Sequence, residues 1–123
     1  MTSPILEERV TAVGRVPRQI MGRTGALFAV AQQAAAVEPL IAEFWEQGRE
    51  QSCHAQRLIW TKAAGDGLLP PGIDLEWLIF TVGLLVAAET YLLSSRVTTW
   101  DLVDDEVWIS TTLTRLLETA SPG

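Results

Sequence analysis

The stretch from Leu75 to Leu93 limits what this chain can become more than any other. It reads LEWLIFTVGLLVAAETYLL and is apolar on every side of a helix rather than along one stripe. A helix of that kind is buried all round, in a large core, in an oligomer or in a membrane. The membrane fits worst. A spanning helix needs about 20 mostly apolar residues, and Glu76 and Glu89 confine the uncharged run to Trp77 through Ala88. An unpaired carboxylate at Glu89 is costly in lipid, and no Lys or Arg cluster flanks the run to orient it. The opening MTSPILEERV also lacks the apolar segment of a signal peptide. The expectation is a soluble buried helix. A chain this small has trouble covering it alone, so a second protein surface, most simply a second copy, is expected to cover part of it.

At 123 residues the chain has room for one domain, taken as 1–123. Hydrophobic residues make up 48 %, which argues against a disordered chain. The formal charge of -6 is opposite to the basic surplus that neutralises phosphates, so direct DNA binding is not expected. The one cysteine, Cys53, excludes an internal disulfide and fits a reducing cytoplasm.

Helix signals run the length of the chain, and no strand alternation does. Thr2 or Ser3 before Pro4 reads as a helix start, with Glu7 and Glu8 near its positive end. Gly14 and Pro17 predict a break, with a short helix to about Gly14 and a second from Val16 to Ala36. Arg9, Arg15, Arg18 and Arg23 read as a solvated face, or else as an electropositive end lying near an acidic partner. Val37-Glu38-Pro39 is a joint, and Pro39 opens a long helix to about Ala64.

The expected stripe of that helix is Leu40, Ile41, Phe44, Trp45, Gly48, Ser52, Ala55, Leu58 and Ile59. It is small in the middle, which suits either a close helix crossing or a hollow with aromatic walls from Phe44, Trp45 and Trp60. Gly65-Asp66-Gly67 stops the helix. Asp74 caps the apolar one, in which Gly83 and Ala87, four apart, allow close helix approach. Ser94 to Trp100 reads as a loop. Asp101 opens a last helix whose Asp104, Asp105 and Glu106 complement its dipole. Leu102, Ile109, Leu113 and Leu116 form one face of it, flanked by Trp108 and Thr112. The frayed end is Ser121-Pro122-Gly123.

The motifs of catalysis are missing. Cys53 and His54 are neighbours on a helix and point about 100° apart, which does not make a nucleophile–base pair. Glu50 and His54 share a face but supply only two ligands, fewer than a zinc site uses. No phosphate-binding glycine loop occurs. No catalytic residue, metal site or cofactor is therefore assigned. Glu89 is the ionisable residue of interest, expected to meet a neighbouring helix or a Trp N–H, or else a ligand or partner.

From about Phe44 to Leu117 the chain resembles the C-terminal regulatory domain of TetR-type (tetracycline-repressor) transcriptional regulators. The resemblance rests on FWEQGREQ at Phe44–Gln51, the hinge GDGLLPPGID at Gly65–Asp74, and Glu89 with Tyr91 before Leu92-Leu93. It is completed by Trp100-Asp101 opening a helix with Trp108, Thr112-Leu113 and Leu116-Leu117. It implies an all-α fold of about five helices, the last two pairing with their copies in an intersubunit four-helix bundle. The implied interface is Val82, Gly83, Val86, Ala87, Tyr91, Trp108, Thr112, Leu113 and Leu116. It also implies a small, apolar effector held between helices by Phe44, Trp45, Gly48, Ser52, Ala55, Ile59, Trp60, Phe80 and Glu89. The helix-turn-helix reading head of that family has no room in this chain, so DNA would be reached only through an upstream domain. The expectation is thus a homodimeric effector-sensing domain, or else a purely structural dimerisation domain with a filled core.

Overall fold

A computed structural model describes residues 4–120, with five helices and no strand among them. They are α1 (Pro4–Ala35), α2 (Pro39–Gly65), α3 (Leu75–Val86), α4 (Ala88–Val97) and α5 (Leu102–Ala120). The expected cap at Thr2 or Ser3 and the tail Ser121–Gly123 lie outside the described residues.

Local chemistry ends most of these helices where the sequence places the signals. Glu38 is extended at φ -119°, ψ 107°, as a residue before proline must be. At the end of α2, Leu68 N–H donates to Ala63 C=O (3.0 Å) and Gly67 N–H to Ala64 C=O (3.1 Å). This Schellman turn needs a left-handed residue, and Gly67 supplies φ +71°. Asp74 accepts from Trp77 N–H at 3.1 Å and caps α3. Asp101 and Asp104 cap α5 reciprocally, each carboxylate taking the other's N–H at 2.8 and 3.2 Å.

Three expectations need correction. Pro17 does not break the first helix, for α1 runs unbroken through 32 residues. Its packing face is anchored on both sides of the proline, by Leu6, Val10 and Val13 before it and by Arg18 and Met21 after it. That burial outweighs one missing backbone bond. Gly14 is no weak point either: a Cβ there would lie 3.1 Å from Glu106 C=O, so the glycine lets α5 come close. The second correction concerns Leu75–Leu93, which is two helices bent by 50° with Ala87 extended between them. The third is Ser94–Val97, which continues α4 rather than forming a loop.

α1 is the spine. α5 runs antiparallel along it, with Leu102 near Gly22 and Ile109 near Gly14. α2 also lies antiparallel to α1, with Phe28 against Trp45 at one end and Arg9 bonded to Asp66 (2.7 Å) at the other. Among them α1, α2, α3 and α5 bury Val10, Val13, Trp60, Leu78, Ile79, Val82, Ile109 and Leu113 in one core.

Candidate functional site

The expected pocket residues do not converge. α2 is rotated from the anticipated phase, so that Gln56, Trp60 and Ala63 are buried while Phe44, Gly48, Ser52 and Ala55 are exposed. The physical reason is Trp60. Its indole is fully enclosed and its N–H needs an acceptor, which Gln56 provides one turn earlier at 2.9 Å. A polar residue therefore lies on the core face of α2, and the apolar stripe read from spacing lies mostly outside it. Ile59 is half-buried beside the core, and Phe80 is exposed on α3.

Glu89, in the first turn of α4, is already engaged. Its Oε2 accepts from Arg49 Nε (2.9 Å) and lies 2.8 Å from Arg49 Nη2, and Trp45 Nε1 donates to it at 3.4 Å. Trp45 in turn packs edge-on against Phe28, with ring centroids 5.9 Å apart. Beside this cluster is an open cleft of about 310 Å³ lined by Gln32, Ala35, Ala42, Trp45, Glu46 and Arg49. A second open cleft, about 370 Å³, lies between Ile73, Trp77, Leu116 and Thr119. Of the nine expected pocket residues only Trp45 lines either one.

Neither explanation of Gly48 holds within the chain, because nothing lies within 4 Å of where its Cβ would stand. Gly48→Ala is therefore expected to stabilise the domain by about 1 kcal/mol through helix propensity alone, measured by urea denaturation. A loss of stability would show that something covers this surface.

The expected interface residues divide into two groups. Val82, Val86 and Leu113 are enclosed in the core of the chain itself. Gly83, Trp108, Thr112 and Leu116 are half-buried at the surface. Ala87 is the break itself, so it does not share one helix face with Gly83. Tyr91 is half-buried, its ring 3.4 Å from the Cβ position of Gly25.

The outer face of α3 carries what sequence reasoning did not place there. Trp77 (43 %), Phe80 (67 %) and Leu84 (57 % exposed) form a row on one side of it. Across the second cleft lies Leu116 of α5, and Trp108 stacks obliquely with Trp100 at 5.9 Å further along α5. Because the helix is apolar all round, its sequence carries no phase from which the outward face could be read. On its flank, Arg57 of α2 makes a bidentate pair with Glu76 (Nη2 to Oε2, 2.9 Å), which holds the Glu76 carboxyl below the usual carboxylate range.

A buried charge cluster joins four of the helices. Arg18 of α1, assigned from sequence to a solvated face, is fully enclosed. Its guanidinium forms an ion pair with Asp105 of α5, which is also buried and accepts from Ser94 Oγ of α4 at 3.3 Å. It donates to the carbonyls of Leu85 (3.3 Å) and Val86 (3.4 Å) at the end of α3, and lies 5.3 Å from the centre of the Tyr91 ring. Burial holds the Arg18 pKa below its ordinary value, outweighing the opposing pull of Asp105. The sequence did hold a signal. Asp105, Ile109, Leu113 and Leu117 are spaced by four, which puts an acid at the head of a core stripe and calls for a buried cation.

Cys53, His54 and Glu50 are exposed on α2. Among the described residues no three His, Cys, Asp or Glu side chains gather as metal ligands. Among the described residues no single helix is long and apolar enough to cross a membrane, although the bent pair Leu75–Val86 and Ala88–Val97 reaches that length and composition together. A scan against protein-family models finds no match, and comparison with curated proteins and with solved structures finds none either.

Proposed function

We propose that this chain is a non-catalytic dimerisation domain, pairing with a second copy through the outer face of α3 and the adjoining flank of α5. The observation that carries this reading is the row Trp77, Phe80 and Leu84, large apolar side chains left in water by a helix whose other sides are buried. Aromatic side chains of this kind are the usual energetic centres of protein interfaces. Leu116 and Trp108 extend the surface onto α5, so two helices from each copy would meet as four. That is the arrangement the resemblance to TetR-type regulators implies, with any DNA contact made by an upstream domain and the whole working in the cytoplasm. The geometry favours the structural version over the effector-sensing one, since the residues expected to enclose a ligand point in different directions.

Sedimentation velocity at micromolar concentration tests this directly. The chain should run as a dimer. Phe80→Asp should weaken association by about 30-fold or more, the scale of losing an interface hot spot of about 2 kcal/mol. Its helical circular dichroism should be unchanged, because Phe80 is not part of the protomer core. A monomeric parent chain, or a Phe80→Asp variant that still dimerises as tightly, would overturn the proposal.

A further inference from the structure

We propose that the elbow at Ala87 is a latched hinge: Arg18 of α1 holds α3 and α4 bent, and without that hold Leu75–Val97 closes into one continuous helix. The residues at the elbow itself call for no break, and the nearest glycine, Gly83, lies a full turn earlier inside α3. Leu84-Leu85-Val86-Ala87-Ala88-Glu89 contains neither glycine nor proline, and alanine, the best helix former, occupies the elbow. Sharp bends otherwise arise where side chains insert into the helical hydrogen-bond ladder. That is the arrangement here. Leu85 and Val86 C=O, which a continuous helix would bond to Glu89 and Thr90 N–H, accept from the Arg18 guanidinium instead. Leu84 C=O accepts from Ala87 N–H (3.4 Å) and from the Thr90 hydroxyl.

At the elbow the departure from helical geometry lies in one torsion of Ala87. Ala87 has φ -59°, already helical, and ψ 149°. Turning ψ to about -40° would restore the ladder. The bent form persists because Arg18 is fixed from three sides by Asp105, the Tyr91 ring and the two carbonyls. Asp105 also holds Ser94, so the same ion pair anchors the far arm of the hinge. α4 is about 15 Å long, and a 50° rotation would carry its far end about 13 Å. The hinge thus connects the position of α1 to the angle between the helix bearing the exposed apolar row and the one that leads into α5. It stands whether or not that row is a dimer interface.

Solution NMR of the full chain tests it. Arg18→Met with Asp105→Leu replaces both charges by apolar groups of similar size, so neither is stranded. In this double variant the Ala87 ¹³Cα shift should move to the helical range. Glu89 and Thr90 amides should exchange about tenfold more slowly or better, as hydrogen-bonded amides do. Adding Ala88→Pro should abolish both changes. Proline suits the first position of α4 and an extended residue before it, but a continuous helix cannot hold it there. If the double variant keeps an extended Ala87 and fast-exchanging amides, Arg18 is not the latch. Should the double variant fail to fold, Arg18→Lys provides the same readout, since an ammonium cannot span the carbonyls and Asp105 together. An unchanged Ala87 shift in that variant would likewise overturn the assignment.

Discussion

Asp105→Ala should destabilise the domain by about 3–5 kcal/mol, a large part of the stability a chain of this size possesses. The cost comes less from the lost attraction than from what remains. Arg18 is fully enclosed, cannot shed its charge and cannot swing out to water without opening the packing between α1 and α5. Without the carboxylate its only compensation is two backbone carbonyls and one aromatic face. Removing both charges together should cost far less, because a buried ion pair recovers little beyond its own desolvation. Urea denaturation of Asp105→Ala beside the Arg18→Met, Asp105→Leu double variant separates the two cases. A double-variant loss as large as that of Asp105→Ala, or larger, would show that a stranded Arg18 charge is not what the single variant suffers from.

Trp60→Ala should cost about as much, 3–5 kcal/mol, for a different reason. Trp60 is the largest fully buried side chain and packs among Ala63, Leu78, Ile79 and the α1 stripe. Truncation leaves a cavity at the junction of α1, α2 and α3 and strands the Gln56 amide, which loses its indole donor inside the core. Trp60→Phe keeps most of the volume and loses the donor. Its smaller loss, set against that of Trp60→Ala in the same denaturation series, divides the packing contribution from the hydrogen bond. Losses below about 1 kcal/mol for Trp60→Ala would mean that this junction is not central to the fold.

Helix ends were legible wherever the chemistry is local. The Pro39 joint, the Gly67 turn, the Asp74 cap and the start of α5 depend on residues within one turn of each other, so spacing alone reveals them. What could not be read depends on residues far along the chain. Pro17 sits inside α1 because α5 packs beside it. Ala87 is bent because Arg18, nearly seventy positions away, takes its neighbours' carbonyls. The face of α2 was misread because apolar side chains occur on two of its sides, and the deciding residue, Gln56, is polar. The candidate surface suffered most, since the uniform greasiness that singles out α3 also conceals which side of it looks outward.

The ion pair between α1 and α5 also bears on how the chain comes to be folded. Arg18 and Asp105 are 87 positions apart, and the spine helix makes its longest contact with the final one. While the chain is being synthesised, α1 leaves the ribosome with its polar anchor unmatched and its apolar stripe uncovered. The anchor cannot be matched, nor the stripe fully covered, before α5 emerges. Contacts of such long sequence separation slow folding and prolong exposure of sticky surface. A ribosome stalled before α5 would therefore release a product whose core lacks Ile109, Leu113 and Leu117 and whose Arg18 has no counter-charge.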